Sequence, residues 1–391
     1  MAAVPEEKGA GRGRTAVVKK VGLLVNPVAG MGGAVGLKGS DGAAILREAR
    51  LRGAVPHAPR RVVQALRAIS RIKDQIQLIT CPHEMGEDEA RTCGLVPQVI
   101  GSITRGATTA EDTLRGAGQL EQLGLDLLLF AGGDGTARDI YHAVGQRVPA
   151  LGIPAGVKIH SAVFGVTPRH AGEVAVRFLE GKLALQEAEV MDIDEDAFRR
   201  GTVSASLLGY LRSPRDRKFV QSVKSGGTAG EQEVLLSIAA DTIEQMDPAR
   251  LYLVGPGTTT RAVLEQLGIP ATLLGVDVVL DKRLVAGDVN EKQLQQLVDR
   301  RPATIVLSVI GGQGYILGRG NQQLSPAVLT TVGTENLVVL ASQEKLVSLA
   351  GKPLLVDTGD EELDRTLCGY LKVTTGFREY SMVKVGCQEN R

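Results

Sequence analysis

The chain has 391 residues, which is enough for two domains that each bury a hydrophobic core. Its formal charge at pH 7 is +1, so neither nucleic acid nor an anionic membrane is favoured as the main partner. Aromatic residues make up only 3% and Trp is absent, which argues against base-stacking platforms, whereas 48 glycines fit an α/β protein with many tight turns.

The sequence also bears on location. No apolar run reaches the roughly 18 residues of a membrane helix. Residues 1–20 lack the apolar segment of a secretory signal and are expected to form a flexible tail. We therefore expect a cytoplasmic protein with reduced cysteines and no membrane partner.

Short apolar runs alternate with helical patterns in the first half of the chain. Strands are predicted at residues 21–26, 75–80, 96–100, 126–131 and 150–154. Helices are predicted at residues 59–70, 84–93, 109–123 and 136–144. This alternation predicts a doubly wound parallel sheet, in which ligands bind beyond the carboxyl ends of the strands.

The pattern changes after about residue 180. Two strands are predicted at residues 189–193 and 203–210, followed by a surface loop at 212–227. Further on, helices are predicted at 231–246, 258–267 and 290–300, and strands at 251–254, 272–280, 303–310, 337–340, 353–357 and 382–385. We expect a nucleotide-binding, doubly wound parallel-sheet domain over residues 21–175. A second α/β domain with additional β strands, over residues 176–391, would complete the cleft.

A glycine-rich loop follows the first strand and contains Asn26-Pro27-Val28-Ala29-Gly30-Met31-Gly32-Gly33. It lacks the Gly-Lys-Ser/Thr ending of a P-loop. It also lacks the third glycine of a dinucleotide-binding GxGxxG, because position 35 is Val35. The loop is therefore either a flexible strand–helix turn or a nucleotide-binding loop of another kind.

The most informative motif is Gly132-Gly133-Asp134-Gly135-Thr136, which follows the apolar run Leu127–Ala131. Glycines let a backbone approach a ligand closely, and amides at a helix start attract anions. A carboxylate there would repel phosphate unless it takes a proton from a hydroxyl or holds a metal ion. The pattern favours phosphoryl transfer, and the alternative is that Asp134 only caps the following helix.

Two further sets of residues are weaker candidates. Gly257 and Thr258 begin a second strand–loop–helix junction that suits an anion, or else a capped helix. Lys158 is either a phosphate ligand or a solvated lysine. His160, close by, is more simply a structural histidine than a catalyst.

The Asp134 pentapeptide resembles the signature shared by NAD kinases and the diacylglycerol and sphingosine kinases. The longer runs at 21–42, 132–139, 152–165 and 311–322 resemble the ATP-NAD kinase-like family, which includes the branch of acetoin-catabolism protein X. The resemblance covers nearly the whole chain after the tail.

The resemblance implies a kinase that transfers a phosphoryl group from ATP, or from polyphosphate, to the 2′-hydroxyl of NAD(H), with Mg²⁺ accompanying ATP. Asp134 would be the acid/base residue and the protein would hold no metal of its own. The residues implied at the nucleotide or its phosphates are Asn26, Gly30, Gly32, Gly132, Gly133, Gly135 and Thr136. Homo-oligomers are an expectation from the same resemblance.

The acceptor is less well defined than the donor. Typical NAD kinases carry an Asn-acid pair downstream, and here Thr334-Glu335-Asn336 has those residues in the wrong order. Two alternatives therefore stay open. The chain is either a nucleotide-binding accessory or regulatory protein without turnover, or a kinase for another small hydroxyl compound.

Overall fold

The computed structural model describes residues 18–37, 42–157, 159–193, 205–216, 231–272, 274–311 and 313–386. Most of the tail predicted at 1–20 lies outside these residues, and Lys19 and Lys20 already belong to the first strand. The predicted surface loop at 212–227 also lies partly outside them.

The first half of the chain is built from alternating strands and helices. In chain order these are β1 (Lys19–Val25), α1 (Ala43–Leu51), α2 (Ala58–Ile69), β2 (Ile76–Thr80), α3 (Glu87–Thr92), β3 (Gln98–Val99), α4 (Ala110–Glu121), β4 (Leu127–Gly132), α5 (Asp134–Val144), β5 (Ala150–Pro154) and α6 (Pro168–Leu179).

The five strands form one parallel sheet in the order β3-β2-β1-β4-β5. Apolar side chains cover both of its faces, as a fully buried parallel sheet requires. Leu23 and Leu129 pack in one core with residues of α2 and α6, whereas Leu24 and Phe130 pack in the other with residues of α4 and α5. The prediction of a doubly wound parallel sheet is confirmed.

The second half contains more strands. They and their helices are β6 (Leu185–Ile193), β7 (Ala205–Pro214), α7 (Glu231–Glu244), β8 (Leu251–Val254), α8 (Thr258–Gln266), β9 (Asp277–Leu280), β10 (Arg283–Ala286), α9 (Glu291–Val298), β11 (Ala303–Ser308), β12 (Tyr315–Leu317), α10 (Pro326–Val332), β13 (Leu337–Leu340), α11 (Gln343–Ser348), β14 (Leu355–Val356), α12 (Glu361–Thr366), β15 (Gly369–Gly376) and β16 (Glu379–Val385).

A second, seven-stranded sheet has the order β10-β9-β8-β11-β13-β15-β16, with parallel central strands and antiparallel edges. The expected second α/β domain with additional strands is thus confirmed. The antiparallel pair β6–β7 packs against α5 and β5 of the first domain.

Some predictions of individual elements were wrong or incomplete. The loop predicted from residue 212 starts too early, because Arg212 pairs with Glu187 inside the β6–β7 ladder. Helix α6 was not predicted, although Thr167 caps it by accepting the N–H of His170 and Pro168 occupies its first position. No helix in the described part of the chain is both long and apolar enough to cross a membrane.

Candidate functional site

The site is centred where the strand order of the first sheet reverses. Strands β1 and β4 are parallel neighbours, with Val25 aligned to Ala131, so the two segments that follow them leave the sheet side by side. Such a reversal leaves a crevice at the carboxyl edge, the usual ligand position in open α/β sheets. Asn26 follows β1 at this edge, and Asp134 lies just after β4 at the same edge.

Asn26 joins the two glycine-rich segments. Its backbone N–H donates to the carbonyl of Ala131 at 3.0 Å, and its side-chain Nδ2 donates to Thr136 Oγ1 at 3.0 Å. Its Oδ1 accepts the N–H of Val28 at 3.2 Å, which starts the turns of the first loop. One amide side chain therefore fixes that loop against the first turn of α5.

Gly30 has no room for a side chain. Its φ is +74°, and a Cβ built on it would lie 2.0 Å from the carbonyl oxygen of Ala155 in the segment after β5. Gly32 is buried within the same turns, and its carbonyl accepts the N–H of Leu37 at 2.8 Å. The glycines of the first loop thus permit close backbone packing against a third strand end, which a flexible turn would not need.

The glycines around Asp134 are also tightly placed. A Cβ on Gly132 would lie 2.2 Å from Thr136 Oγ1, and the Gly132 carbonyl accepts the N–H groups of Ala155 and Gly156 at 2.9 and 3.0 Å. Gly133 is the extended residue before α5, and Gly135 lies in its first turn. The end of β4 is therefore packed against the Thr136 side chain and the backbone of residues 155 and 156.

The carboxylate of Asp134 accepts four hydrogen bonds. Oδ1 accepts the Ser161 N–H at 2.9 Å and the Ser161 hydroxyl at 2.6 Å. Oδ2 accepts the His160 N–H at 2.8 Å and lies 3.2 Å from Nδ1 of the His160 ring. Asp134 is 7% exposed.

The alternative that Asp134 merely caps a helix is wrong. Gly133 occupies the capping position, Asp134 is the first residue of α5, and the four hydrogen bonds of its carboxylate go to His160 and Ser161. Its partners come instead from the segment after β5. Sequence reasoning did not place Ser161 at the site and treated His160 as a structural group.

A buried charge cluster lies where the two domains meet. Asp357 accepts a hydrogen bond from Arg61 Nη1 at 2.7 Å and lies 3.5 Å from Nη2 of Arg319. Arg319 is 4% exposed and lies over the ring of Tyr315, and both side chains donate to the carbonyl of Val166. Burial raises the pKa of Tyr315 to about 12, so this phenol stays protonated.

The segment around Arg319 also touches the loops of the site. Gly320 N–H and Gln322 Nε2 both donate to the carbonyl of Val157, at 3.0 and 2.7 Å. Nε and Nη1 of Arg319 have no hydrogen-bond partner among the described residues. Burial works against the charge of Arg319, but Tyr315 and Asp357 hold its pKa above the usual value, and Asp134 adds to that effect.

The other predicted site residues lie in the second domain or outside the described residues. Gly257, at φ +142°, packs on Ser308, and Lys345 Nζ donates to Thr258 Oγ1 at 3.2 Å. These contacts stay within the second domain. Lys158 lies outside the described residues.

The described residues contain no cluster of three or more His, Cys, Asp and Glu side chains able to hold a metal ion. Mg²⁺ typically keeps several waters and binds through substrate phosphates with one or two carboxylates.

Comparisons with known proteins agree with this architecture. Residues 21–183 match the family described as ATP-NAD kinase N-terminal domain, and residues 251–385 match the ATP-NAD kinase C-terminal domain. No curated protein sequence matches the chain. A Listeria monocytogenes structure assigned as a UDP-N-acetylglucosamine 2-epimerase aligns over 88% of this chain and 79% of its own at 13% identity. Its TM-score is 0.26, too low to support any argument.

Proposed function

Because the chain belongs to the ATP-NAD kinase family, we propose that it transfers a phosphoryl group from ATP, or from polyphosphate, to the 2′-hydroxyl of NAD(H). The family match supports a phosphotransferase. The observation that carries the rest is that Asn26, which is bonded to Thr136, and Gly30, which packs on Ala155, lie at the same strand-order reversal as Asp134.

In this proposal the donor lies on the two glycine-rich segments. Asn26, Gly30 and Gly32 flank the nucleotide, while the amides around Gly132–Thr136 and the start of α5 face the phosphates. Backbone amides and the positive end of a helix stabilise the charge that develops on a transferring phosphoryl group. Mg²⁺ bound to the triphosphate supplies further charge neutralisation.

The acceptor hydroxyl has to lose a proton as it attacks. The Asp134 side chain is the acidic group at this strand end, and the 160–161 segment holds it in one orientation. We propose that the acceptor hydroxyl approaches this pair of segments.

A second candidate function is favoured by one observation. Because all four acceptor positions of the Asp134 carboxylate are occupied, the same site suits a nucleotide-binding protein without turnover. A kinase for another small hydroxyl compound is the third candidate, since the site gives no reason to choose among hydroxyls. Cytoplasmic location and homo-oligomer formation remain predictions.

The test is an acceptor screen with γ-labelled ATP, polyphosphate and Mg²⁺, using NAD, NADH and a panel of small polyols. We expect labelled NADP(H), and Asp134→Asn should lower its formation by at least 100-fold. Asp126→Asn is the matched control, because Asp126 lies just before β4, at the opposite end of the same strand, in an ion pair with Lys19. Calorimetry that detects ATP or NAD binding while no acceptor is labelled would favour the second candidate.

A further inference from the structure

A group other than Asp134 has to accept the proton of the acceptor hydroxyl. A carboxylate has about four lone-pair positions for hydrogen bonds. At Asp134 two are used by backbone N–H groups, one by the Ser161 hydroxyl and one by the His160 ring. Taking a proton there would break one of these bonds in a site that is almost fully buried.

The imidazole of His160 has one ring nitrogen that is available to accept a proton. Its Nδ1 faces Asp134 Oδ2 at 3.2 Å, and because the carboxylate only accepts, Nδ1 carries the proton. The lone pair is then on Nε2, which has no hydrogen-bond partner among the described residues. The side chain is 9% exposed, so it is largely buried without being completely closed off from solvent.

The backbone around His160 is held from three directions. Asp134 accepts its N–H, and the carbonyl of Ile159 accepts Nε2–H of Gln313 at 3.0 Å from the second domain. On the other side, the Ser161 hydroxyl accepts the N–H of Met191 at 3.0 Å from β6. Because these hydrogen bonds fix its backbone, His160 loses little conformational freedom when a substrate binds. Catalysis by a positioned group requires this.

We propose that His160 is the general base of the phosphoryl transfer and that Asp134 is its positioning residue. The proposal rests on the proposed function, which supplies the nucleoside triphosphate or polyphosphate donor. Nε2 takes the hydroxyl proton as the acceptor oxygen forms its bond to the γ-phosphorus. The bond between that phosphorus and the leaving phosphate oxygen breaks, and the leaving group keeps the electron pair.

Asp134 stabilises the imidazolium that forms, and His160 then releases the proton to solvent. The arrangement separates two tasks that the sequence assigned to one residue. The carboxylate orients the ring and fixes its tautomer, while the ring exchanges protons.

His160→Asn tests the base and leaves the scaffold in place, because an Asn amide can donate to Asp134 from about the position of Nδ1 but offers no basic nitrogen. We expect kcat for the labelled acceptor to fall by about 10²–10⁴-fold with KM within a few-fold of the native value. His160→Ala should be similarly slow and partly restored by added imidazole, a response that a purely structural residue would not give. His142→Asn, at an exposed histidine on α5, is the matched control and should keep native activity.

Asp134→Asn tests the positioning role with a second readout. Diethylpyrocarbonate labelling of His160, followed by mass spectrometry, reports whether the ring is held toward the bound acceptor. NAD should block this labelling in the native protein. It should not block labelling in Asp134→Asn, because the carboxylate no longer orients the ring. Thermal unfolding of each variant establishes that it is folded.

The outcomes separate the two proposals. Native turnover together with a His160→Asn rate within threefold of native overturns the role of His160 and leaves the proposed function intact. Labelling of native His160 that NAD does not affect also overturns it. Absence of turnover on every acceptor overturns the proposed function, and the role of His160 falls with it.

Discussion

Replacing Asp134 with Asn should destabilise the first domain by much more than the loss of a charge at a helix start. The carboxylate of Asp134 now accepts four donors from His160 and Ser161. An Asn side chain has one oxygen and one NH₂ group. Whichever way the amide turns, the NH₂ group faces a backbone N–H that it cannot accept.

The magnitude follows from that mismatch. One buried backbone N–H left without an acceptor costs about 1–3 kcal/mol, and replacing an ionised acceptor by a neutral one weakens the remaining bonds by about 1 kcal/mol in total. The expected loss is therefore about 3 kcal/mol. A carboxylate that only complemented the helix dipole of α5 would contribute about 0.3–1 kcal/mol.

The assay is urea unfolding at neutral pH, followed by a probe in the first domain, with the free energy of unfolding compared between variants. A loss of about 3 kcal/mol corresponds to a fall in the melting temperature of about 6–12 °C for a unit of this size. Asp126→Asn is again the control and should cost less than about 1 kcal/mol, because Asp126 and Lys19 are both about one-third exposed. A loss below about 1 kcal/mol for Asp134→Asn would refute the inference that the four hydrogen bonds of the Asp134 carboxylate stabilise the fold.

Three further predictions concern stability. Gly30→Ala should cost about 3 kcal/mol and weaken ATP binding in calorimetry, whereas Gly53→Ala should cost only about 1 kcal/mol, because both have positive φ but only Gly30 meets a backbone oxygen within 4 Å. Asp357→Asn should cost about 3–5 kcal/mol in urea unfolding, because it leaves the buried guanidinium of Arg319 and the partly buried one of Arg61 without their counter-charge. Burial raises the pKa of Glu89 from 4.5 to about 7, so the folded state holds that proton more tightly and stability should fall as pH rises from about 4.5 to 7. Glu89→Gln should remove that fall and be more stable than the native protein at pH 8.

Each of these has an outcome that contradicts it. Equal losses for the two glycine variants would mean that backbone strain alone matters at Gly30. A cost for Asp357→Asn no larger than that of Glu173→Gln, whose ion pair with Arg71 is half exposed, would remove the domain-joining role of the cluster. A Glu89→Gln protein that keeps the native slope between pH 4.5 and 7 would show that another group titrates there.

The fold of the first domain could be predicted because its information is local. Strands β4 and β5 are unbroken apolar runs, and β1 is apolar from Val21 onward. Thr109 with Asp112 marks the start of α4, where both halves of the capping box form. Helix α6 was missed although its capping signal was equally local, because that stretch was interpreted as a domain boundary.

The partners of the site residues could not be predicted in the same way. His160 and Ser161 are 26 and 27 residues from Asp134 and reach it only because β5 pairs with β4 and returns the chain to the same sheet edge. Arg61 and Asp357 are 296 residues apart, and nothing in either local sequence indicates the other. Sequence patterns identify the strand ends that carry polar groups, but contacts across the sheet depend on the packing of both domains.

The contacts of Asp134 connect these points to function. A carboxylate that is merely close to a hydroxyl would be left with free lone pairs, whereas this one is saturated by a segment that the second domain also contacts through Gln313. The second domain therefore contacts the same backbone segment that orients the Asp134 carboxylate.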